Sequence, residues 1–328
     1  MRIVVELSAE HDTLPLAELR AVLDVAGGRV ERVDGAVAIV ETPDPAFLAM
    51  RLALTHTLLE HWWSGPTSEA AAALSGREAG GSFAVRPRSI SGAQPDVSLT
   101  DLARALGSAL RGKVDLRAPE VDVRVLLAGA GEAHVGRLVA EVDRRAFDAR
   151  HVKHRAHFAP VSLHPRYART LVNLARVRAG DRVVDPFCGT GGLVVEAGLV
   201  GAQVLASDID PRMAEGTRAE LTRVGVAGAR VEARDIGELP AFARGVDVVV
   251  SDPPYGKSST TNREPMDDLY ARFLAAAHEA LPPRGRLAVI FPTAERRDLA
   301  AARFRLVEAH DQRVHRSMTR HWGIFARE

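Results

Sequence analysis

The second half of the chain alternates short apolar runs with amphipathic segments. Five runs are typical of buried strands: residues 182–187, 203–207, 230–233, 246–251 and 286–291. Helical periodicity covers residues 167–177, 192–199, 211–224, 266–281 and 294–302. Because helices separate most of these strands, we expect the strands to pair in parallel.

Two further apolar segments, residues 305–311 and 322–326, close the chain without a helix between them. They should form an antiparallel pair joined by a basic loop over residues 313–320. The whole pattern predicts a doubly wound α/β domain of the Rossmann-like class, with a mostly parallel seven-stranded sheet, over residues 166–328.

The first half of the chain mixes strand and helix patterns. Strands are predicted over residues 2–7, 29–33 and 36–41, and helices over residues 14–26 and 45–59. This order predicts a small α+β unit over residues 1–63, with Trp62 and Trp63 in packing positions. Further helices are predicted over residues 69–74 and 99–110, and further strands over residues 83–88, 121–127 and 134–142. They predict a second α+β module over residues 64–143.

A basic segment over residues 144–165 separates the two halves. Seven cations and one acid, Asp148, occur from its start to residue 169: Arg144, Arg145, Arg150, Lys153, Arg155, Arg166 and Arg169. A solvated linker and a strip that contacts phosphates both fit this composition. Three histidines at a spacing of three have no cysteine beside them, so we predict no metal site.

Composition limits the class of protein more than its partners. Of 328 residues, 46% are hydrophobic and 26% are charged, as in an ordinary globular protein. The net charge of +1 means that any affinity for nucleic acid must come from local patches. The single cysteine, Cys188, excludes an internal disulfide framework, and the chain lacks an apolar stretch of transmembrane length. We therefore expect a cytoplasmic protein with no membrane partner.

The predicted strand over residues 246–251 runs into Ser251-Asp252-Pro253-Pro254-Tyr255-Gly256. Two prolines fix φ and remove two backbone donors, so a rigid turn presents the Asp252 carboxylate beside the Tyr255 ring. This pairing suits a planar ring that carries an amino group. A plain turn is the alternative. A phosphate-binding loop at Gly256-Lys257-Ser258 is set aside, because prolines fill its middle and no helix follows.

A glycine-rich turn follows the first strand of the same sheet. Residues 185–192 are Asp-Pro-Phe-Cys-Gly-Thr-Gly-Gly, and such glycines let a cofactor approach the backbone. A dinucleotide fingerprint needs a glycine where Val194 stands and no acid at Asp185. Asp208 and Asp235 follow the next two strands, where they can accept from ribose hydroxyls and an adenine amine. The set favours S-adenosylmethionine, with NAD as the alternative.

Together, these motifs resemble those of class I methyltransferases that alkylate exocyclic amines of nucleobases. The front half, with residues 150–155 leading into residues 162–166, resembles proteins with a THUMP RNA-binding domain behind a ferredoxin-like unit. Over essentially its full length, the chain is similar to archaeal tRNA guanosine N2-methyltransferases of position 10. This resemblance implies methylation of tRNA with S-adenosylmethionine as cofactor, and a possible small activating partner protein. It leaves open whether one methyl group or two are added.

The resemblance also implies the site residues. The amine of the base should lie against the Asp252 carboxylate and the Pro253 carbonyl, with Tyr255 stacked on the base. Cofactor contacts are expected from Asp185, Phe187, Gly189, Thr190, Gly191, Asp208, Ile209, Asp235, Ile236 and Asp252. RNA contacts are expected from Arg86, Arg150, Lys153, Arg155, Lys257 and Arg316. Alternatives are a ribosomal RNA guanine methyltransferase, a DNA adenine methyltransferase and a non-catalytic RNA-binding protein.

Overall fold

A computed structural model of the chain describes residues 1–90, 97–154, 162–256 and 264–328. It consists of two compact units, Met1–Val142 and Asp143–Glu328. Within the described ranges, no helix is both long enough and apolar enough to cross a membrane.

The first unit contains one seven-stranded sheet. Its strands are β1 (Arg2–Leu7), β2 (Arg29–Asp34), β3 (Val37–Glu41), β4 (Thr55–Pro66), β5 (Phe83–Ser89), β6 (Val121–Leu127) and β7 (Glu132–Glu141). The helices are α1 (Leu14–Ala26), α2 (Pro45–Arg51), α3 (Ala70–Ala73) and α4 (Leu99–Ala109), with 3-10 turns at Thr67–Glu69 and Gly129–Gly131. The strand order is β2-β3-β1-β4-β7-β6-β5. Among these seven strands, β5 and β6 pair in parallel and the other neighbours pair antiparallel.

The predicted helix over residues 45–59 is wrong in its second half. Helix α2 ends at Arg51, and the 12-residue strand β4 pairs with β1 on one side and β7 on the other. Threonines and aromatic residues are enriched in strands, and the buried centre of the sheet decides in favour of that conformation. Strand β4 spans the predicted boundary at residues 63 and 64, so both predicted α+β modules contribute to one sheet. Trp62 and Trp63 pack against its apolar core, as predicted.

The second unit contains the predicted mostly parallel sheet. Its strands are β8 (Arg182–Asp185), β9 (Gln203–Asp208), β10 (Arg230–Ala233), β11 (Val248–Ser251), β12 (Arg286–Phe291), β13 (Arg305–His315) and β14 (Met318–Ala326). The order is β10-β9-β8-β11-β12-β14-β13. The first five strands are parallel, and β14 is antiparallel to both β12 and β13. The doubly wound architecture is therefore confirmed.

Helices flank this sheet. They are α5 (Arg144–Ala149), α6 (Pro165–Leu174), α7 (Gly192–Leu199), α8 (Pro211–Arg223), α9 (Leu239–Phe242), α10 (Met266–Ala280) and α11 (Ala294–Ala301), with 3-10 turns at Val152–His154 and Ile236–Glu238. Strand β11 is buried at all four positions, as expected for a central strand covered on both faces. Phe273 on α10 packs in the same core as Phe291 and Phe325 of β12 and β14. The core thus fixes the strand ends that carry the site.

The basic loop predicted over residues 313–320 is instead a β-hairpin. Arg313 pairs with Thr319, and His315 pairs with Met318 across a tight turn. Strand alternation points Arg320 and Trp322 inward, where both are buried. Pairing with β13 extends β14 to Met318, beyond the apolar run at residues 322–326.

Candidate active site

Three neighbouring strands end at the site. Strand β8 lies between β9 and β11, and all three run in parallel. Their carboxyl ends therefore bring Asp185, Asp208 and the Ser251–Asp252 pair to one edge of the sheet. The two predicted halves of the site, on β8 and β11, are adjacent.

Asp185 is the centre of this arrangement. Its side chain is buried, and Oδ1 accepts hydrogen bonds from the Ser251 hydroxyl at 2.8 Å and the Phe187 amide at 3.0 Å. Burial raises the pKa of Asp185 to about 7, against the opposing effect of these two bonds. The carboxylates of Asp208 and Asp252 raise this pKa further. Asp185 therefore links the two halves and favours a cationic neighbour.

The glycine turn between β8 and α7 has a left-handed backbone at two positions. Gly189 has φ +50° and Gly191 has φ +85°. A Cβ atom at Gly191 would meet Thr217 at 3.2 Å, whereas one at Gly189 would meet no described atom within 4 Å. Gly191 is thus required for packing, and Gly189 borders open space that a ligand can fill. Thr190 beside them is buried.

Asp208 fixes the other side of that turn. Its Oδ2 accepts from the Gly189 amide at 3.0 Å, and its Oδ1 accepts from the Asp210 amide at 2.9 Å. Burial raises the pKa of Asp208. Each carboxylate oxygen has a second lone pair, so both can still accept from ribose hydroxyls. The next residue, Ile209, is 40% exposed and offers an apolar surface for a flat ring.

Asp235 and Ile236 differ from the simple prediction. Asp235 caps the 3-10 turn Ile236–Glu238, accepting from the Gly237 amide at 2.9 Å. Its carboxylate also forms an ion pair with Arg272. Ile236 is buried in the core of the unit. Both residues lie at the carboxyl end of β10, but Asp235 must share its oxygens with Arg272 to accept from an adenine amine.

The turn after β11 presents Asp252 and Tyr255 together. The Tyr255 hydroxyl donates to Oδ1 of Asp252 at 2.6 Å. Pro253, which lies between these two residues in the sequence, is buried. The Tyr270 hydroxyl donates to the Pro254 carbonyl at 3.3 Å and holds the turn. Burial raises the pKa of Asp252, and burial also raises the pKa of Tyr255. Tyr255 therefore stays protonated as a hydrogen-bond donor.

Arg320 is a member of this site that the sequence did not reveal. It is 8% exposed on β14, and its positive charge lowers the pKa of both Asp252 and Tyr255. Its Nε atom has no hydrogen-bond partner within the residues that the structure describes. Only the register of the β13–β14 hairpin turns Arg320 inward, and the sequence pattern had placed it in a loop. The site thus includes a buried cation beside its predicted base-binding carboxylate.

The predicted RNA contacts have different environments. Arg150 is engaged by the buried Glu196, with Nε 2.7 Å from Oε1, and Arg169 binds the same carboxylate at 2.8 Å. We therefore propose that Arg150 stabilises the second unit and does not contact RNA. Lys153 and Arg316 are exposed, and the half-exposed Arg86 lies 3.7 Å from Asp122. Arg155 and Lys257 lie outside the described residues.

The residues that are present fit S-adenosylmethionine. Asp185 favours a positive charge, Gly189 borders open space, Asp208 has free lone pairs, and Ile209 exposes an apolar face. These features match a sulfonium and amino group, a ribose and an adenine, respectively. Among the described residues, no cluster of histidine, cysteine, aspartate or glutamate could hold a metal ion.

Comparisons with known proteins agree with this geometry. A family model described as an RMKL-like methyltransferase domain matches residues 150–321. The chain is 36% identical, over 98% of both sequences, to the tRNA (guanine(10)-N2)-dimethyltransferase of Methanothermobacter thermautotrophicus. It is 34% identical to the tRNA (guanine(6)-N2)-methyltransferase of Thermus thermophilus, over 65% of this chain and 63% of that protein. The structure is similar to the crystal structure of TrmN from Thermus thermophilus over 100% of both chains, with a TM-score of 0.58 at 24% identity. This similarity supports the fold.

Proposed function

Because the chain belongs to the family of tRNA guanine-N2 methyltransferases, we propose that it methylates the N2 amine of a guanosine at position 10 of tRNA. The observation that carries this proposal is the contact between the two halves of the site, on β8 and β11. The Ser251 hydroxyl, one residue before Asp252, donates to Asp185 at 2.8 Å. An amine held at Asp252 therefore lies beside the space that a methyl donor would occupy at Asp185.

S-adenosylmethionine, when bound, supplies an activated methyl group on a sulfonium. The lone pair of the guanine amine is delocalised into the ring, so the nitrogen is a weak nucleophile. The Asp252 carboxylate and the Pro253 carbonyl would accept the two amine hydrogens and turn the lone pair out of the ring plane. As the nitrogen forms its new bond, Asp252 can take the proton that it loses. The raised pKa of Asp252 suits this role as a base.

Tyr255 is proposed to stack on the target base. Its hydroxyl already donates to Asp252, so the ring lies within reach of a base bound at that carboxylate. A paired base cannot enter a pocket at the end of a strand, and the nucleotide must leave its stack first. Stacking on Tyr255 would offset part of that cost.

We assign RNA binding to the first unit together with basic residues of the second. The proposal keeps the ferredoxin-like and THUMP character of residues 1–63 and 64–143, with Arg86 on β5 and with Lys153 and Arg316 in the second unit. Structured RNA is held mainly through shape and phosphates, so binding should weaken steeply with salt. A cytoplasmic location and a small activating partner protein are part of the same proposal.

The decisive experiment combines the purified chain with isotopically labelled S-adenosylmethionine and an unmodified tRNA transcript. Nucleoside mass spectrometry should find labelled N2-methylguanosine or N2,N2-dimethylguanosine, lost when the transcript carries adenosine at position 10. Ribosomal RNA and duplex DNA serve as competing substrates. Label in N6-methyladenosine, or label confined to ribosomal RNA, would contradict the proposal.

Asp252→Ala is the matched variant for that experiment. We expect turnover to fall by at least about 100-fold, because the variant lacks the acceptor that aligns the amine. Affinity for S-adenosylmethionine, measured by calorimetry, should fall far less than turnover, because the other predicted cofactor contacts remain. If the wild-type chain binds the cofactor but transfers no methyl group to RNA, the result would instead favour a non-catalytic RNA-binding protein.

A further inference from the structure

An arginine-rich cavity of about 350 Å³ lies in the second unit, away from the site described above. It is lined by Arg176, Arg284, Arg286, Arg305, Arg327 and Glu328, among others. Arg286 begins β12 and pairs with Ala326 near the end of β14, whereas Asp252 follows the carboxyl end of β11. Because β11 and β12 are parallel, the cavity and the proposed active site lie at opposite ends of the sheet.

The backbone at two of these arginines is unusual. Among the residues that the structure describes, Arg176 and Arg284 are the only non-glycine residues with φ in the left-handed region, at +56° and +68°. Both line the same cavity. A left-handed conformation costs free energy for any residue with a Cβ atom, and such residues occur preferentially at functional sites.

Both positions are ones that glycine normally occupies. Arg176 follows helix α6 at the place where a left-handed residue ends a helix, and the Val177 amide donates back to the Val172 carbonyl. Arg284 is the third residue of a tight turn in which the Gly285 amide donates to the Pro282 carbonyl. The two turns explain the positive φ values, but they do not explain why arginine occupies both.

The arginines that line the cavity contact both backbone carbonyls and carboxylates. Arg176 donates to the Leu174 carbonyl at 2.9 Å, and Arg327 donates to the Leu281 carbonyl. These carbonyls help to orient the two guanidinium groups. Two of the arginines also have ion-pair partners, at 3.6 Å from Arg305 to Glu328 and at 4.0 Å from Arg176 to Glu308. For Arg284, no carboxylate of the described chain lies within ion-pair distance.

We propose that this cavity binds phosphate, presented either by the RNA backbone or by a small free polyphosphate. Five arginines line this one cavity, and the fork of a guanidinium group matches the oxygen geometry of phosphate. The cavity volume is near the lower end of the range for small-molecule sites, roughly 300–1,000 Å³. The RNA source rests on the proposed function, whereas the free polyphosphate does not.

The test uses the full chain with sodium tripolyphosphate, measured by isothermal titration calorimetry at low ionic strength. Arg284→Gly is the informative variant, because glycine keeps the turn while removing the guanidinium. We expect binding by the wild type, a loss of at least about tenfold in affinity in Arg284→Gly, and an unchanged or higher melting temperature for that variant. Arg244→Gln serves as the control, since Arg244 is exposed in the same unit and does not line the cavity.

Binding of unmodified tRNA transcript, measured by fluorescence anisotropy across a salt series, identifies the source. If the phosphate belongs to RNA, Arg284→Gly should reduce the salt slope by about one, while Arg244→Gln should not. If tripolyphosphate affinity falls and tRNA binding is unchanged, the ligand is a free polyphosphate. Equal tripolyphosphate binding by the wild type and Arg284→Gly, or a clear loss of stability in Arg284→Gly, would overturn the proposal. These readouts do not depend on methyl transfer.

Discussion

The Tyr255 hydroxyl donates a 2.6 Å hydrogen bond to Oδ1 of Asp252, the carboxylate proposed to hold the target amine. The bond orients the carboxylate and leaves its Oδ2 atom to accept a hydrogen bond from a substrate. It also ties the predicted stacking ring to the predicted acceptor. Two roles for Tyr255 follow, one for its hydroxyl and one for its ring, and substitution can separate them.

Tyr255→Phe should lower kcat by about tenfold with little change in KM for tRNA. The variant keeps the ring but loses a hydrogen bond to a charged acceptor, which contributes about 1.5–3 kcal/mol. Tyr255→Ala should in addition raise KM, because stacking on a base contributes about 1–3 kcal/mol. Steady-state kinetics with both variants test this. Identical kinetics for the phenylalanine and alanine variants would exclude a stacking role for the ring.

Arg320→Gln should move the acidic limb of the pH profile of kcat/KM to higher pH. The positive charge of Arg320 lowers the pKa of Asp252 against the effect of burial. Without that charge the pKa of Asp252 rises, so a higher pH is needed to ionise the carboxylate. Arg320→Lys retains a charge and should shift the limb less. A kcat/KM that is lower at every pH, with the acidic limb at its wild-type position, would assign Arg320 a purely structural role.

Much of the second unit is predictable from local patterns, because buried β-branched runs such as residues 248–251 have few alternatives. The glycine turn at Gly189 and Gly191 is equally local, since positive φ values favour glycine. The failures have non-local causes. Strand β4 is fixed by its pairing with β1 and β7, and the direction of Arg320 is fixed by the register of a hairpin.

The role of a charged residue can also depend on a partner far away in the sequence, as Arg150 shows. In sequence it belongs to a basic run, but its partner Glu196 is 46 residues away. A basic cluster therefore predicts a phosphate contact only when its members lack buried partners. Lys153, three residues further, is exposed, and its RNA contact stays a prediction.

Asp185 should make the stability of the second unit depend on pH. Burial raises its pKa to about 7, whereas an aspartate in the unfolded chain has a pKa of about 3.9. Between these values the folded state holds one more proton than the unfolded state, so the free energy of unfolding falls as pH rises from about 4 to about 7. A pKa difference of about three changes the free energy of unfolding by roughly 4 kcal/mol, since each pH unit of difference contributes about 1.4 kcal/mol.

Asp185→Asn removes this ionisation and should flatten the pH dependence in that window. Urea unfolding between pH 4 and 8 measures it, with Trp62 and Trp63 replaced by Phe so that Trp322 alone reports the second unit. The difference in pH dependence between the chain with Asp185 and the Asp185→Asn variant isolates this one group. Equal slopes for the two proteins would contradict a pKa near 7. Because the ionised form favours a cation, wild-type affinity for S-adenosylmethionine should increase as pH rises through 7.

Glu196→Ala should destabilise the second unit by about 3–5 kcal/mol. Glu196 is 1% exposed and binds Arg150 and Arg169, whose guanidinium groups also lie over the Phe147 ring at 4.7 and 5.7 Å. Removing the carboxylate leaves two cations together without their partner. Arg150→Met should cost less, because Arg169 still neutralises Glu196. Urea unfolding followed by Trp322 fluorescence measures both changes.

RNA binding by two neighbouring variants separates structural cations from phosphate contacts. Arg150→Met should leave the salt slope of tRNA binding unchanged, because its guanidinium is held by Glu196. Lys153→Gln should keep full stability and reduce the slope by about one, since an exposed lysine that contacts phosphate releases one counterion. Anisotropy titrations at several salt concentrations give both slopes. A reduced slope in Arg150→Met, with wild-type stability, would return Arg150 to the RNA-contacting set and would mean that the Glu196 pair opens when RNA binds.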